Sequence, residues 1–243
     1  MDISNLQSFI LVFTSIYLTG YFTIFRQWKA KHRAEASSTV MSLFHGTPAV
    51  ILAIKSIMIS QTQLDLASKN TAFQNTVLEF SIAYFIADLL HYILFIPTDF
   101  LYIAHHLATL HVFLTCRYAV GHGAHAVLVL LVLAESTSAC QNVWCLVGYR
   151  REDCPAAEKV YRVLSPAFYL FYSVMRGVLG PAFVCKMLVF YLSGKADGLI
   201  PMWAWVSWMV VIVGAILVSI LWVLNLWMVL FRDRRRKQLM KSN

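Results

Sequence analysis

Several polar side chains interrupt long apolar runs at spacings that could support chemistry. Asp88 and His91 stand three residues apart in the run from Val77 to Ile96, which places both on one face of a helix. His105 and His106 follow in the run from Phe100 to Val120, with Thr109 one turn beyond. A carboxylate facing an imidazole fixes its tautomer and raises its basicity, leaving the second ring nitrogen to take a proton or attack an acyl carbon. The short Pro97-Thr98-Asp99 turn makes the two runs antiparallel neighbours, with Asp88 and the doublet at matched depth. Adjacent histidines diverge by about 100° around a helix, so one of the pair is expected to meet Asp88 while the other holds packing. Asp88, His105 and His106 are therefore the candidate catalytic residues.

Glu135, Ser138 and Asn142 lie at i, i+3 and i+7 of the next run and form one polar stripe. Tyr169, Tyr172, Ser173 and Arg176 make a comparable stripe in the run after it. Glu135 and Arg176 both fall about 15 Å from a helix end, near mid-depth. An ionisable group at the centre of a bilayer costs at least about 2.5 to 3.5 kcal/mol, so the two are expected to pair with each other or with another buried group. Asn225, in the last run, reads as an interhelical hydrogen bond. No metal is expected, because one histidine doublet with scattered His91 and His111 cannot fill two iron coordination spheres.

The elements that would position these residues are membrane spans. The 243 residues are 59% hydrophobic and only 13% charged, against roughly 25% charged in an ordinary soluble domain, and the mean hydropathy is +0.66. Seven stretches are long and apolar enough to cross a bilayer: Leu6 to Ile24, Ser42 to Ile59, Val77 to Ile96, Phe100 to Val120, His125 to Gly148, Pro166 to Leu188 and Trp203 to Phe231. The second is the weakest, since it holds His45, Pro48 and Lys55. The predicted architecture is an all-α polytopic membrane protein of about seven transmembrane helices. It comprises an N-terminal anchor with its basic loop over residues 1–36, a membrane domain over 37–231, and a basic tail over 232–243.

The net charge of +8 does not point to nucleic acid, because the basic residues are segregated. They cluster in Arg26 to Arg33, Arg150 to Arg162 and Arg232 to Lys241, whereas the alternate connections hold only Lys69, Arg117 and Lys195. That asymmetry predicts an outside or lumenal N-terminus and a cytosolic tail. The first run is read as a retained anchor: Asp2 precedes it and the basic cluster follows it, the reverse of a signal peptide. The cysteines are five, fall within spans or on the cytosolic side, and imply no structural disulfide.

The run Tyr84-Phe85-Ile86-Ala87-Asp88-Leu89-Leu90, followed by His105-His106-Leu107-Ala108-Thr109 and then an acidic residue in the next helix, resembles the TRAM/LAG1/CLN8 (TLC) family over roughly Ser37 to Phe231. Glu135-Ser136-Thr137-Ser138, with Asn142 seven residues after the glutamate, is most similar to the branch of TLC-domain-containing proteins, as is the Ser/Thr-rich approach to His45. The resemblance implies a ring of six helices around a lipid-accessible cavity, plus an extra N-terminal helix. The ceramide synthases of the same family carry a His-Asp pair and a further Asp where this chain has Ala134-Glu135 and Ser138. This departure counts against sphingoid-base N-acylation.

Two functions follow from the resemblance. The first is a lipid-homeostasis protein that binds or regulates membrane lipids in an intramembrane polar cavity, with Glu135, Arg176, Asn142, His45, Thr109 and Tyr172 as candidate binding residues. The second is a lipid acyltransferase in which His105 or His106 acts as base or acyl carrier and Asp88 orients it. No bound cofactor is expected, although the second reading implies acyl-CoA as co-substrate. The implied partners are membrane lipids, with a homodimer left open and nucleic acid excluded. Family resemblance makes the endoplasmic reticulum the default compartment, and topology alone leaves a seven-helix receptor as a third reading.

Overall fold

The structure, a computed structural model, describes residues 5–59 and 65–242, and among them there is no β-strand. Asp2, on which the reading of the first run as an anchor leans, lies outside the described residues, as do the side chains of the basic tail beyond Arg232. Helix α1 spans Leu6–Thr19 and continues through a π turn, Gly20–Ile24. Helix α2 spans Ala30–Ile59 and carries Pro48 in its interior, so the second span begins well before Ser42. Helix α3, Ala72–Phe95, starts at a capping box in which Thr71 and Gln74 satisfy each other's backbone N–H groups. It stops before Pro97, and the Asp99 side chain accepts from the Tyr102 N–H at 3.3 Å to open α4, Phe100–Leu114.

Helix α4 runs on through a second π turn, Thr115–Val120, and closes at Gly121 with φ 69°. The next run is two helices, α5 at Ala124–Glu135 and α6 at Ser138–Arg150. Helix α7, Pro155–Val174, passes through a third π turn, Met175–Leu179, into α8, Gly180–Leu192. Helix α9 spans Met202–Ser242. Of the seven helical runs among the described residues, six are long and apolar enough to cross a membrane. The run of α4 falls short on hydropathy because it carries three histidines and Arg117. The segment Arg150 to Arg162, read from sequence as a connection, is largely helix, since α7 starts at Pro155 and is amphipathic in its first turns.

Helix neighbours close a ring. α2 packs on α3, α3 on α4, α4 on α9, α9 on α7 and α8, these on α6 and α5, and α6 and α5 back on α2, while α1 lies outside against α2 and α3. Large apolar side chains such as Leu11, Leu90, Val210 and Leu217 are exposed on the outer surface, the pattern of helices solvated by lipid tails. The core, including Phe13, Met41, Leu78, Ile82, Leu128, Met187 and Trp208, fills one part of the ring. At its end, Asn70 stitches two connections together, donating to the Cys116 carbonyl at 2.9 Å and accepting from the Ala124 N–H at 2.9 Å. Gly123 adopts φ 89°, and a Cβ there would meet Trp208 at 3.1 Å, so glycine is needed both for the turn and for the close approach of α9.

Candidate functional site

Asp88 and His106 meet inside the ring. The Asp88 carboxylate takes the His106 Nε2 at 2.9 Å on Oδ2, the Ser38 hydroxyl at 2.5 Å on Oδ1, and the Tyr84 hydroxyl at 3.3 Å on Oδ2. Both Asp88 and His106 are buried. The other ring nitrogen, Nδ1, donates to the Tyr102 backbone carbonyl at 2.8 Å. A carbonyl only accepts, so Nδ1 carries hydrogen, and a single further proton is shared between Nε2 and the carboxylate. Whichever atom holds it, the pair is neutral overall, which is how two ionisable groups can coexist in hydrocarbon. The arrangement leaves neither nitrogen of His106 open.

His105 projects elsewhere. It is exposed, sits edge-on to Phe85 with ring centroids 6.5 Å apart, and has no hydrogen bond to either ring nitrogen among the described residues. It lines both cavities of the ring. Thr109 donates to the His105 backbone carbonyl at 2.8 Å and reaches the smaller cavity. His91 is held apart, its Nδ1 3.0 Å from the Tyr17 hydroxyl.

The break between α5 and α6 organises the remaining polar residues. Glu135 is the last residue of α5, and its Oε2 accepts from the Ser138 hydroxyl at 2.6 Å. The same oxygen lies 3.9 Å from Nδ1 of His45, which is fully buried and stacks on Tyr84 at 4.0 Å between ring centroids. His45 Nε2 is 3.1 Å from the Ser81 hydroxyl. Asn142 donates to Ser42 at 3.0 Å, tying α6 to α2. Helix α2 comes this close because residue 46 is glycine: a Cβ there would lie 2.8 Å from the Ser138 Cβ and 3.0 Å from Glu135 Oε2.

Of the two pairings expected for Arg176, with Glu135 or with another buried group, the structure shows the second. Arg176 Nη2 donates to the Ala134 carbonyl at 2.7 Å, while the guanidinium lies 5.2 Å from the centre of the Tyr172 ring. The physical reason is the break itself. Where a helix is interrupted inside a bilayer its carbonyls lose intrahelical partners, each at a cost of several kcal/mol, and a neighbouring donor must supply one. Arg176 sits in the π turn between α7 and α8, a local widening that helices often carry at functional positions. Asn225 also departs from expectation, being exposed and without a side-chain hydrogen bond among the described residues.

These residues surround two adjoining cavities. The larger, about 450 Å³, has a polar wall from Ser38, Thr39, Ser42, Asp88, Glu135, Ser138, Asn142, Tyr149 and Arg176, with Tyr172 and both histidines of the doublet. The smaller, about 130 Å³, is bounded chiefly by apolar residues including Val112, Phe113, Leu130, Leu131, Val211, Ile212 and Ile216, and shares His105, Glu135 and Arg176 with the first. Between α4 and α9 the wall of the larger cavity is made of side chains that are themselves exposed, among them Leu101 (56%) and Val210 (69%). No group of metal-ligating side chains occurs among the described residues.

Sequence reasoning overlooked two features. Ser38 and Tyr84 complete the shell of Asp88, and Tyr84 was visible as the residue one turn before it. Glu79, buried in α3, binds Arg117 at 2.8 Å and accepts from Tyr118 at 3.3 Å and from the Asn5 N–H at 2.8 Å. A carboxylate in an apolar run was the available signal, but Arg117 read as a loop charge.

The TLC-domain family model matches residues 35–228. A TLC domain-containing protein of Arabidopsis thaliana is 55% identical over 241 residues, covering 98% of this chain and 94% of the relative.

Proposed function

The chain belongs to the TLC-domain family, which is linked to membrane lipid metabolism, and from that premise we propose that it binds membrane lipids in the ring's cavity and thereby acts in lipid homeostasis. The observation that carries this reading is the pair of adjoining cavities, in which polar groups such as Ser38, Ser42, Asp88 and Asn142 line the larger and aliphatic groups such as Leu130, Leu131 and Ile216 line the smaller. A lipid has the same division between headgroup and chain. We place the protein in the endoplasmic reticulum, with its N-terminus lumenal and its tail cytosolic, on the strength of the segregated basic residues and the family. Family membership displaces the receptor reading.

A lipid acyltransferase using acyl-CoA is the second reading, favoured by one observation: His105 faces the cavity with both nitrogens free among the described residues. Against it, no carboxylate orients His105, and the histidine that does have one is closed at both nitrogens. Purified protein incubated with labelled acyl-CoA and amine lipids tests the two readings. Lipid that copurifies without forming product supports binding. Acylated product that disappears in His105→Ala would establish the enzyme.

A further inference from the structure

We propose that the cavity selects a zwitterionic phospholipid headgroup, its phosphate held by the Arg176 guanidinium and its ammonium group facing the Glu135 carboxylate. This deepens the lipid-binding reading and rests on it.

A guanidinium stays charged and offers five N–H donors with no acceptor. Arg176 spends one nitrogen, Nη2, on the Ala134 carbonyl. Its Nε is buried without a hydrogen-bond partner, and no carboxylate of the described residues lies within 4.0 Å of it. A fixed cation on the wall of a largely apolar cavity calls for an anion, and the planar fork suits a phosphate in particular. Glu135 is the complementary case. Its Oε2 accepts from the Ser138 hydroxyl and lies 3.9 Å from His45 Nδ1, and no lysine or arginine comes within 4.0 Å of it among the described residues.

The two groups line the same cavities without an ion pair within 4.0 Å between them. Asp88 and His106 neutralise one another and contribute no net charge. Among the described residues the cavity lining therefore offers one guanidinium and one carboxylate that are not paired with each other. A zwitterion satisfies both; an anionic lipid satisfies Arg176 but meets Glu135 with like charge; an uncharged diacylglycerol satisfies neither. The exposed side chains between α4 and α9 give a headgroup a way in from the bilayer, with its chains remaining among aliphatic residues such as Val211 and Ile212.

The test uses the full chain reconstituted in vesicles that contain trace amounts of phosphatidylethanolamine, phosphatidic acid or diacylglycerol, each with a photoreactive acyl chain, and reads the labelled peptides by mass spectrometry. Phosphatidylethanolamine is expected to label the α4 and α9 linings about tenfold more than either competitor. Glu135→Gln removes the preference over phosphatidic acid, and Arg176→Gln removes the preference over diacylglycerol. The near-isosteric Glu135→Gln carries the test should the arginine variant fail to fold. Glycerophosphoethanolamine, the same headgroup without chains, is expected not to compete at equal concentration; competition would mean a soluble ligand and overturn the proposal. Equal labelling by all three lipids overturns charge selection while leaving lipid binding intact, whereas absence of cavity labelling by any lipid removes the lipid-binding reading itself.

Discussion

The Asp88–His106 pair shows how a side chain's value depends on what surrounds it. Removing one partner of a buried, hydrogen-bonded pair strands the other, at about 3 to 5 kcal/mol, while removing both costs much less than the sum. Asp88→Asn and His106→Ala are each expected to lower the midpoint of thermal unfolding in detergent, and Asp88→Leu combined with His106→Leu to recover much of the loss. A double variant as unstable as the two single losses added together would show that the pair does not act as a unit. Ser38→Ala, which removes one donor from the same carboxylate, is expected to cost about 1 to 3 kcal/mol. The sequence made this pair legible, because ionisable residues in apolar runs are few and the short turn at Pro97 puts α3 beside α4. Which histidine would face the carboxylate was not legible: that depends on helix rotation, set by packing of Phe85 and Tyr92 against His106.

At the level of elements, apolar run length pointed to all seven helical runs seen among the described residues, six of them apolar enough to span, since a backbone in hydrocarbon must satisfy itself locally. It could not show where a span is broken. Glu135-Ser136-Thr137-Ser138 contains neither proline nor glycine, and the interruption holds because Arg176, forty-two residues away, takes the Ala134 carbonyl. The early start of α7 was hidden for a related reason, its charged face lowering the hydropathy of a segment that is nonetheless helical. Close approach of α2 to the break yields a sharp expectation. Gly46→Ala places a methyl group 2.8 Å from the Ser138 Cβ, an overpacking that typically costs about 1 to 3 kcal/mol. Ser138→Gly removes the opposing Cβ together with the hydroxyl that bonds Glu135, so Gly46→Ala is expected to cost much less in a Ser138→Gly background than in the native chain. An equal cost in both backgrounds would place the strain somewhere other than this contact.

For the molecule as a whole, an outer surface of exposed aliphatic side chains and an interior with a polar pocket invert the usual soluble arrangement, and both follow from the solvent. Charge segregation predicts that a glycosylation acceptor fused ahead of α1 is modified in microsomes and one fused to the tail is not; the opposite pattern would reverse the assigned topology. The proposed lipid binding turns on the cavity within the ring. Ala215, on α9, borders both cavities, so Ala215→Phe directs a phenyl group into unfilled space rather than into packed core. Unlike a substitution at Gly46, it is expected to leave the unfolding midpoint unchanged or raise it, because new dispersion contacts form without displacing old ones. Lipid retained through purification, measured by mass spectrometry, is expected to fall by at least about half. If retained lipid were unaffected while stability held, the bound molecules would belong to the outer surface, and the cavity would have no part in holding them.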